Sequence, residues 1–200
     1  MYTFQHLIHS VLSSTLCIVA LSCSMGCGDT READQKDMGM ALNKPIDDLA
    51  KKSDERFLNS VAEFNFEQIL LGKLAHQRAT STAVIDLAKM LEEDHRNAKM
   101  ALGSMSIIKS IPIPGTPTKA AHDAYDKINE VPVETFDATY LTTVIASHND
   151  VIALFELYLQ SNDDPDIHAW ALGRLPELRI HLSKAMELET QMGPLSELIR

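Results

Sequence analysis

Two absences divide this 200-residue chain. Before residue 28 there is no Lys, Arg, Asp or Glu, and after residue 27 there is no cysteine. The cysteine-free body rules out a disulfide framework, so residues 28–200 must hold together by burial. No basic block occurs anywhere, and the formal charge is -10. Nucleic acid and anionic lipid surfaces both demand a basic face, so neither is an expected partner. Glycine-rich phosphate loops, nucleophile elbows and Cys/His zinc ribbons are missing as well. No segment carries a strand signal as strong as the chain's helical patterns.

What is present begins with residues 7–21, "LIHSVLSSTLCIVAL", an apolar run broken by four hydroxyl residues. A membrane span needs about 20 predominantly apolar residues, and this run is shorter and more polar. It reads as the h-region of a secretory signal over residues 1–27, with the small residues Ser22, Ser24 and Gly26 near its end. Its n-region offers only His6 and His9 where a cation is usual. Cys23 and Cys27 raise lipoprotein processing, in which one cysteine becomes the acylated first residue. The expectation is export to the periplasm or outer membrane, with membrane contact only through such a lipid anchor.

Residues 28–52 are polar and faintly periodic, a tether or a loosely ordered lead-in helix. Their Met38 and Met40 form a thioether pair of the kind that suits copper in its lower oxidation state, though two methionines in a linker do not make a site. Composition then becomes that of a globular domain, 45% apolar and 23% charged over the chain. Four helical patterns fill residues 53–192, leaving 193–200 as a tail. The first runs about 53–79 from Ser53 as N-cap, on Phe57, Val61, Phe64, Leu71 and Leu74. The second ends near 108 and uses Val84, Leu87, Leu91, Ala98, Leu102 and Met105. The third covers about 134–161. The fourth opens at Asp164 and Pro165, a cap followed by a proline at the first helical position.

Short links join the first two helices and the last two, which makes each pair antiparallel. Between the second and third lie "KSIPIPGTPT" and a short helical piece near 118–129, enough chain to cross a helix of about 40 Å. The expected fold is all-α, a ferritin-like four-helix bundle with two antiparallel hairpins and one long crossover.

Each helix also puts one ionisable residue on its apolar stripe near mid-length: Glu67, His95, His148 and His181. A mid-helix residue stays near the mid-plane whatever the order of the helices, so the four should converge in the core. Buried ionisable groups cost several kcal/mol unless paired or bound to metal. One reading is a metal site for iron, manganese, zinc or copper, with Glu92 one turn before His95 as a further ligand. The set is too rich in nitrogen and too poor in carboxylate for a ferritin di-iron centre. Another is a hydrogen-bonded network that fixes helix register. A third is a pH sensor built on clustered histidines. Helix faces could also lie slightly elsewhere and leave some histidines exposed. Pro176 is a hazard here, because a kink would swing His181 out of register. Tyr140, Phe136 and Trp170 read as ordinary core aromatics.

The segments "ILLGKLAHQRAT" (69–80), "AKMLEEDH" (88–95), "FDATY" (136–140), "SHNDVIALFE" (147–156) and "LPELRIHL" (175–182) resemble, in order and spacing, the bacterial domain of unknown function 4142 family. The resemblance covers roughly 53–190 and implies an exported, ferritin-like four-helix protein, often labelled an outer-membrane protein. It places the family's acid–His pair on Asp94 and His95, its Phe-Asp-x-x-Tyr on Phe136, Asp137 and Tyr140, and its late histidine on His181. Ser147 stands where the family usually has an Asp before His148. The resemblance implies no activity. The leading expectation is a non-enzymatic envelope module with a structural Glu/His cluster, stress-associated or interacting with a protein partner. The alternative is a metal-binding or redox protein.

Overall fold

A computed structural model describes the backbone of residues 31–161 and 164–193, and side chains from residue 50 onward. The signal-like segment, Cys23, Cys27 and most of the tail lie outside the described residues, as do the side chains of Met38 and Met40. The chain divides into two compact units, residues 1–39 and 40–200, and the second contains the core. The described residues are all-α: α1 Arg31–Arg78, α2 Thr82–Lys109, α3 Lys119–Asn129, α4 Val133–Tyr158 and α5 Pro165–Met192. No helix among them is long and apolar enough to cross a membrane.

The first helix departs from expectation. It does not start at Ser53 but runs unbroken from Arg31, so that of the two readings of residues 28–52, tether or lead-in helix, the helical one holds from Arg31 onward. Extending an existing helix adds one backbone bond at each residue other than a proline such as Pro45, and needs no apolar stripe, so weak periodicity hid it. The other ends are set locally. Asp164 caps α5 by accepting from the Asp166 and Ile167 amides at 2.9 and 3.2 Å, and Thr118 caps α3 through the Ala121 amide. At the end of α2, Ser110 takes a left-handed conformation (φ 54°), with its amide and that of Ile111 bonded back to Ile107 and Ser106. Pro176 sits inside α5 on its exposed side, and the helix continues through it, so His181 keeps its register.

Two apolar clusters mark opposite ends of the core. One joins Phe57, Leu102, Phe155 and Ile167; the other joins Leu74, Leu87, Phe136 and Ala185. Followed in chain order, α1 and α5 run from the first cluster to the second, and α2 and α4 run the other way. Between the clusters lies a polar layer of His95, His148 and His181, each 0–1% exposed.

A candidate metal centre of three histidines

Each histidine sits one turn from a core residue on either side, which fixes its height: Leu91 and Ala98 around His95, Val144 and Val151 around His148, Leu178 and Ala185 around His181. The three rings meet edge-to-face, with centroids 5.2–5.4 Å apart. One ring nitrogen from each falls in a set whose members all lie within 4.8 Å of one another. His148 Nε2 and His181 Nδ1 are 3.4 Å apart.

Hydrogen bonds at the outer nitrogens decide where the protons are. His148 Nδ1 lies 2.9 Å from the Val144 carbonyl, which can only accept, so Nδ1 carries the proton and Nε2 is a bare lone pair. His181 Nε2 donates to Asp94 Oδ2 at 3.1 Å, leaving its Nδ1 bare. His95 Nδ1 donates to Asn65 Oδ1 at 2.9 Å, and its Nε2 is fully buried without a hydrogen-bond partner. Three lone pairs are thereby brought together with no proton left to share among them.

All three imidazoles are held neutral. Burial lowers His95 well below its ordinary value, with repulsion from His148, His181 and Arg174 adding to it. Burial and His181 push His148 down to about 3, against the pull of the Val144 carbonyl. Burial also lowers His181, although Asp94 and Glu177 favour its charged form. In the His181–Asp94 contact a ring N–H donates to a carboxylate.

Two of the residues named as candidate ligands stand elsewhere. Glu67 is only partly buried and is not among the residues whose ligand atoms cluster with the imidazoles; α1 contributes Asn65 instead. Leu58, Val61, Ala62, Asn65 and Gln68 define the middle of the buried face, and Glu67 lies about 200° round the helix from Asn65. Glu92 is drawn off elsewhere, bridging to Arg96 and standing 3.6 Å from His76 Nδ1. The apolar stripe does not single out Asn65, yet the sequence holds a signal for it: an amide between Phe64 and Phe66 in a helix interior, where Asn is disfavoured without a partner. Asp94 serves not its neighbour His95 but His181, on another helix.

The remaining motif residues act in the frame. Buried Asp137 accepts from the Thr80 amide and hydroxyl and from the Ser81 amide, the last two at 2.8 and 2.7 Å, and so clasps the α1–α2 turn onto α4. Arg78 lies over the Phe136 ring at 5.0 Å and reaches the carbonyls of Asn129 and Val131. Tyr140 is buried with its hydroxyl unpartnered, and burial raises its pKa, with the Glu92 charge adding to the rise.

Fold and site thus define a helical protein with three convergent neutral histidines at its core. The chain belongs to the family described as a domain of unknown function (DUF4142), whose pattern matches residues 40–188. Among solved structures it is similar to a DUF305 fragment from Deinococcus radiodurans, at 16% identity and a TM-score of 0.61, covering 70% of this chain and 96% of that one. At that identity the likeness is one of fold. No curated protein matches the chain.

Proposed function

We propose that this chain is an exported helical protein of the cell envelope that binds one divalent transition-metal ion through His95, His148 and His181. Helices α1, α2, α4 and α5 then form a ferritin-like bundle, with α3 on the long crossover. The observation that carries the metal reading is the protonation pattern. Metal-binding histidines characteristically donate their second nitrogen to a carboxylate or carbonyl, which fixes the tautomer and aims the free lone pair. All three do so here, to Asp94, Val144 and Asn65.

The spacing agrees. Two nitrogens at about 2.0–2.1 Å from a tetrahedral zinc are about 3.3–3.4 Å apart. His148 Nε2 and His181 Nδ1 stand at 3.4 Å. Three neutral imidazoles suit zinc or copper and lack the carboxylates that magnesium, calcium or manganese prefer. The ligand set is narrower than the sequence suggests, without Glu67 or Glu92.

A second reading, a metal-free register lock, draws on the edge-to-face packing of the three rings, which is itself favourable. The two readings part on metal content. Full-length protein purified without a histidine tag and loaded with zinc should hold one ion per chain by mass spectrometry, and His148→Ala should hold none. Retention of the ion in His148→Ala, or no ion in the wild type, would leave the register lock.

A further inference from the structure

One pocket stands directly outside the triad, on the side formed by α1, α3 and α4. It has a volume of about 250 Å³, its rim carries Glu63, Glu67 and Asp150, and Phe64, Val151 and Leu154 line its apolar part. Among the described residues no Lys or Arg lines it. Phe64 belongs to both compartments: it walls the pocket, and its ring meets those of His95 and His148 edge-on, with centroids 5.0 and 5.2 Å away. Just beneath, Gln68 is 1% exposed and donates its Nε2 hydrogens to Glu67 Oε1 and Ser147 Oγ, at 3.2 and 3.0 Å. Its own Oε1 is buried without a partner.

The α5 side of the triad is unfit for a cation. There Arg174, paired with Glu177, is close enough to depress the proton affinity of both His95 and His181 by charge repulsion. The His181 Nε2–Asp94 hydrogen bond occupies the same side.

We propose that the acidic pocket captures a hydrated divalent cation on Glu63, Glu67 and Asp150, and that rotation of the Phe64 side chain admits the ion to the three histidines. A concave site lined by charge of one sign raises the local concentration of its counter-ion and speeds association, in a manner that salt screens. The final site holds neutral nitrogen ligands, so the carboxylates act on the rate of capture and little on the final affinity. Glu67 therefore has a role as a capture residue and not as a ligand. Burial raises its pKa, Gln68 opposes that, and Asp150 and Glu63 reinforce it, as expected for carboxylates crowded together until a cation arrives.

This inference rests on the three-histidine metal reading, and the test separates the two. Zinc uptake by the full chain is followed by stopped flow against a chromophoric chelator at low and moderate salt, with Glu63→Gln/Glu67→Gln/Asp150→Asn, Phe64→Leu and Arg174→Ala as variants. The triple variant should take up zinc at least tenfold more slowly and lose most of its salt dependence, with its equilibrium affinity within about threefold of wild type. Phe64→Leu, which keeps an apolar filler of smaller girth, should speed uptake and release together. Unchanged rates in both variants, with zinc still bound by the histidines, overturn the route and spare the metal site. Faster uptake in Arg174→Ala alone also overturns it, since it places the path on the other face. A wild-type chain that binds no zinc overturns both.

Discussion

Asp94 on α2 accepts the Nε2 proton of His181 on α5 at 3.1 Å, although His95 is its neighbour in sequence. The bond fixes which nitrogen of His181 faces the other two rings. It also links a carboxylate that is 35% exposed to a histidine with a 1% exposed side chain, so one end of the triad is oriented from near the surface.

That orientation can be measured. Asp94→Asn retains an acceptor of the same shape but removes its charge, and Asp94→Leu removes both. Loss of such an outer partner typically weakens metal binding by about 10–100-fold. Zinc competition titrations should place Asp94→Leu in that range and Asp94→Asn nearer wild type, with unchanged helical content in both. Equal affinity in all three proteins would separate Asp94 from the site.

The metal-free protein should lose stability on acidification. Burial holds all three histidines below the ordinary value of 6.5, so below that pH the unfolded chain binds more protons than the folded one. Their contribution is fully present above about 6.5 and falls as pH drops from there toward about 3, the value for His148. Each histidine that must stay uncharged steepens the fall by up to about 1.4 kcal/mol per pH unit. Urea midpoints at pH 7.5 and pH 5 check the sign; equal midpoints would contradict it.

His95→Leu removes a buried nitrogen that lacks a partner but strands Asn65 Oδ1. Paired with Asn65→Leu, the substitution replaces a polar contact by apolar packing. Such exchanges are often neutral or stabilising, here by up to about 1–3 kcal/mol. Denaturant unfolding should show the double variant at least as stable as the wild type and the Asn65→Leu single variant below it. A double variant that fails to fold would show that the polar layer determines the helix arrangement.

Asp137→Ala should be costly for a different reason. The Thr80 and Ser81 amides and the Thr80 hydroxyl lose a charged acceptor together, in a site where Asp137 is 4% exposed. A loss of about 3 kcal/mol is expected from a buried charged hydrogen-bond partner. A thermal midpoint within a degree or two of wild type would deny the clasp its role.

Gly72→Ala tests the closeness of α1 and α2. An added Cβ would meet the Ala88 carbonyl oxygen and Glu92 Cβ, each at 3.0 Å. Helix propensity favours Ala by about 1 kcal/mol, but neither neighbour is the free end of a side chain, so the helices must part, at about 1–3 kcal/mol. Net destabilisation is the expected sign, and a gain in urea midpoint would contradict it.

Helix α5 was legible from its first residues, because Asp164 and Pro165 announce a start by their own chemistry. His95, His148 and His181 were legible for another reason: each follows an apolar stripe at helical spacing, so three buried faces predicted three convergent rings. Helix α1 resisted on both counts. Its first half lacks an apolar stripe, and its buried face is centred on Asn65 and Gln68, which look like surface residues until their partners on α2 and α4 are seen. Centring the face on Phe64 instead brought Glu67 inward. A polar residue is placed by the helix it meets, and single-helix periodicity contains no term for that.

The most direct test is isothermal titration of zinc into metal-free full-length protein and into His95→Ala, His148→Ala, His181→Ala and Glu67→Gln. One ion per chain in the wild type and in Glu67→Gln, with none in any of the three histidine variants, is the predicted result. Binding that survives loss of a histidine but fails in Glu67→Gln would contradict the three-histidine centre.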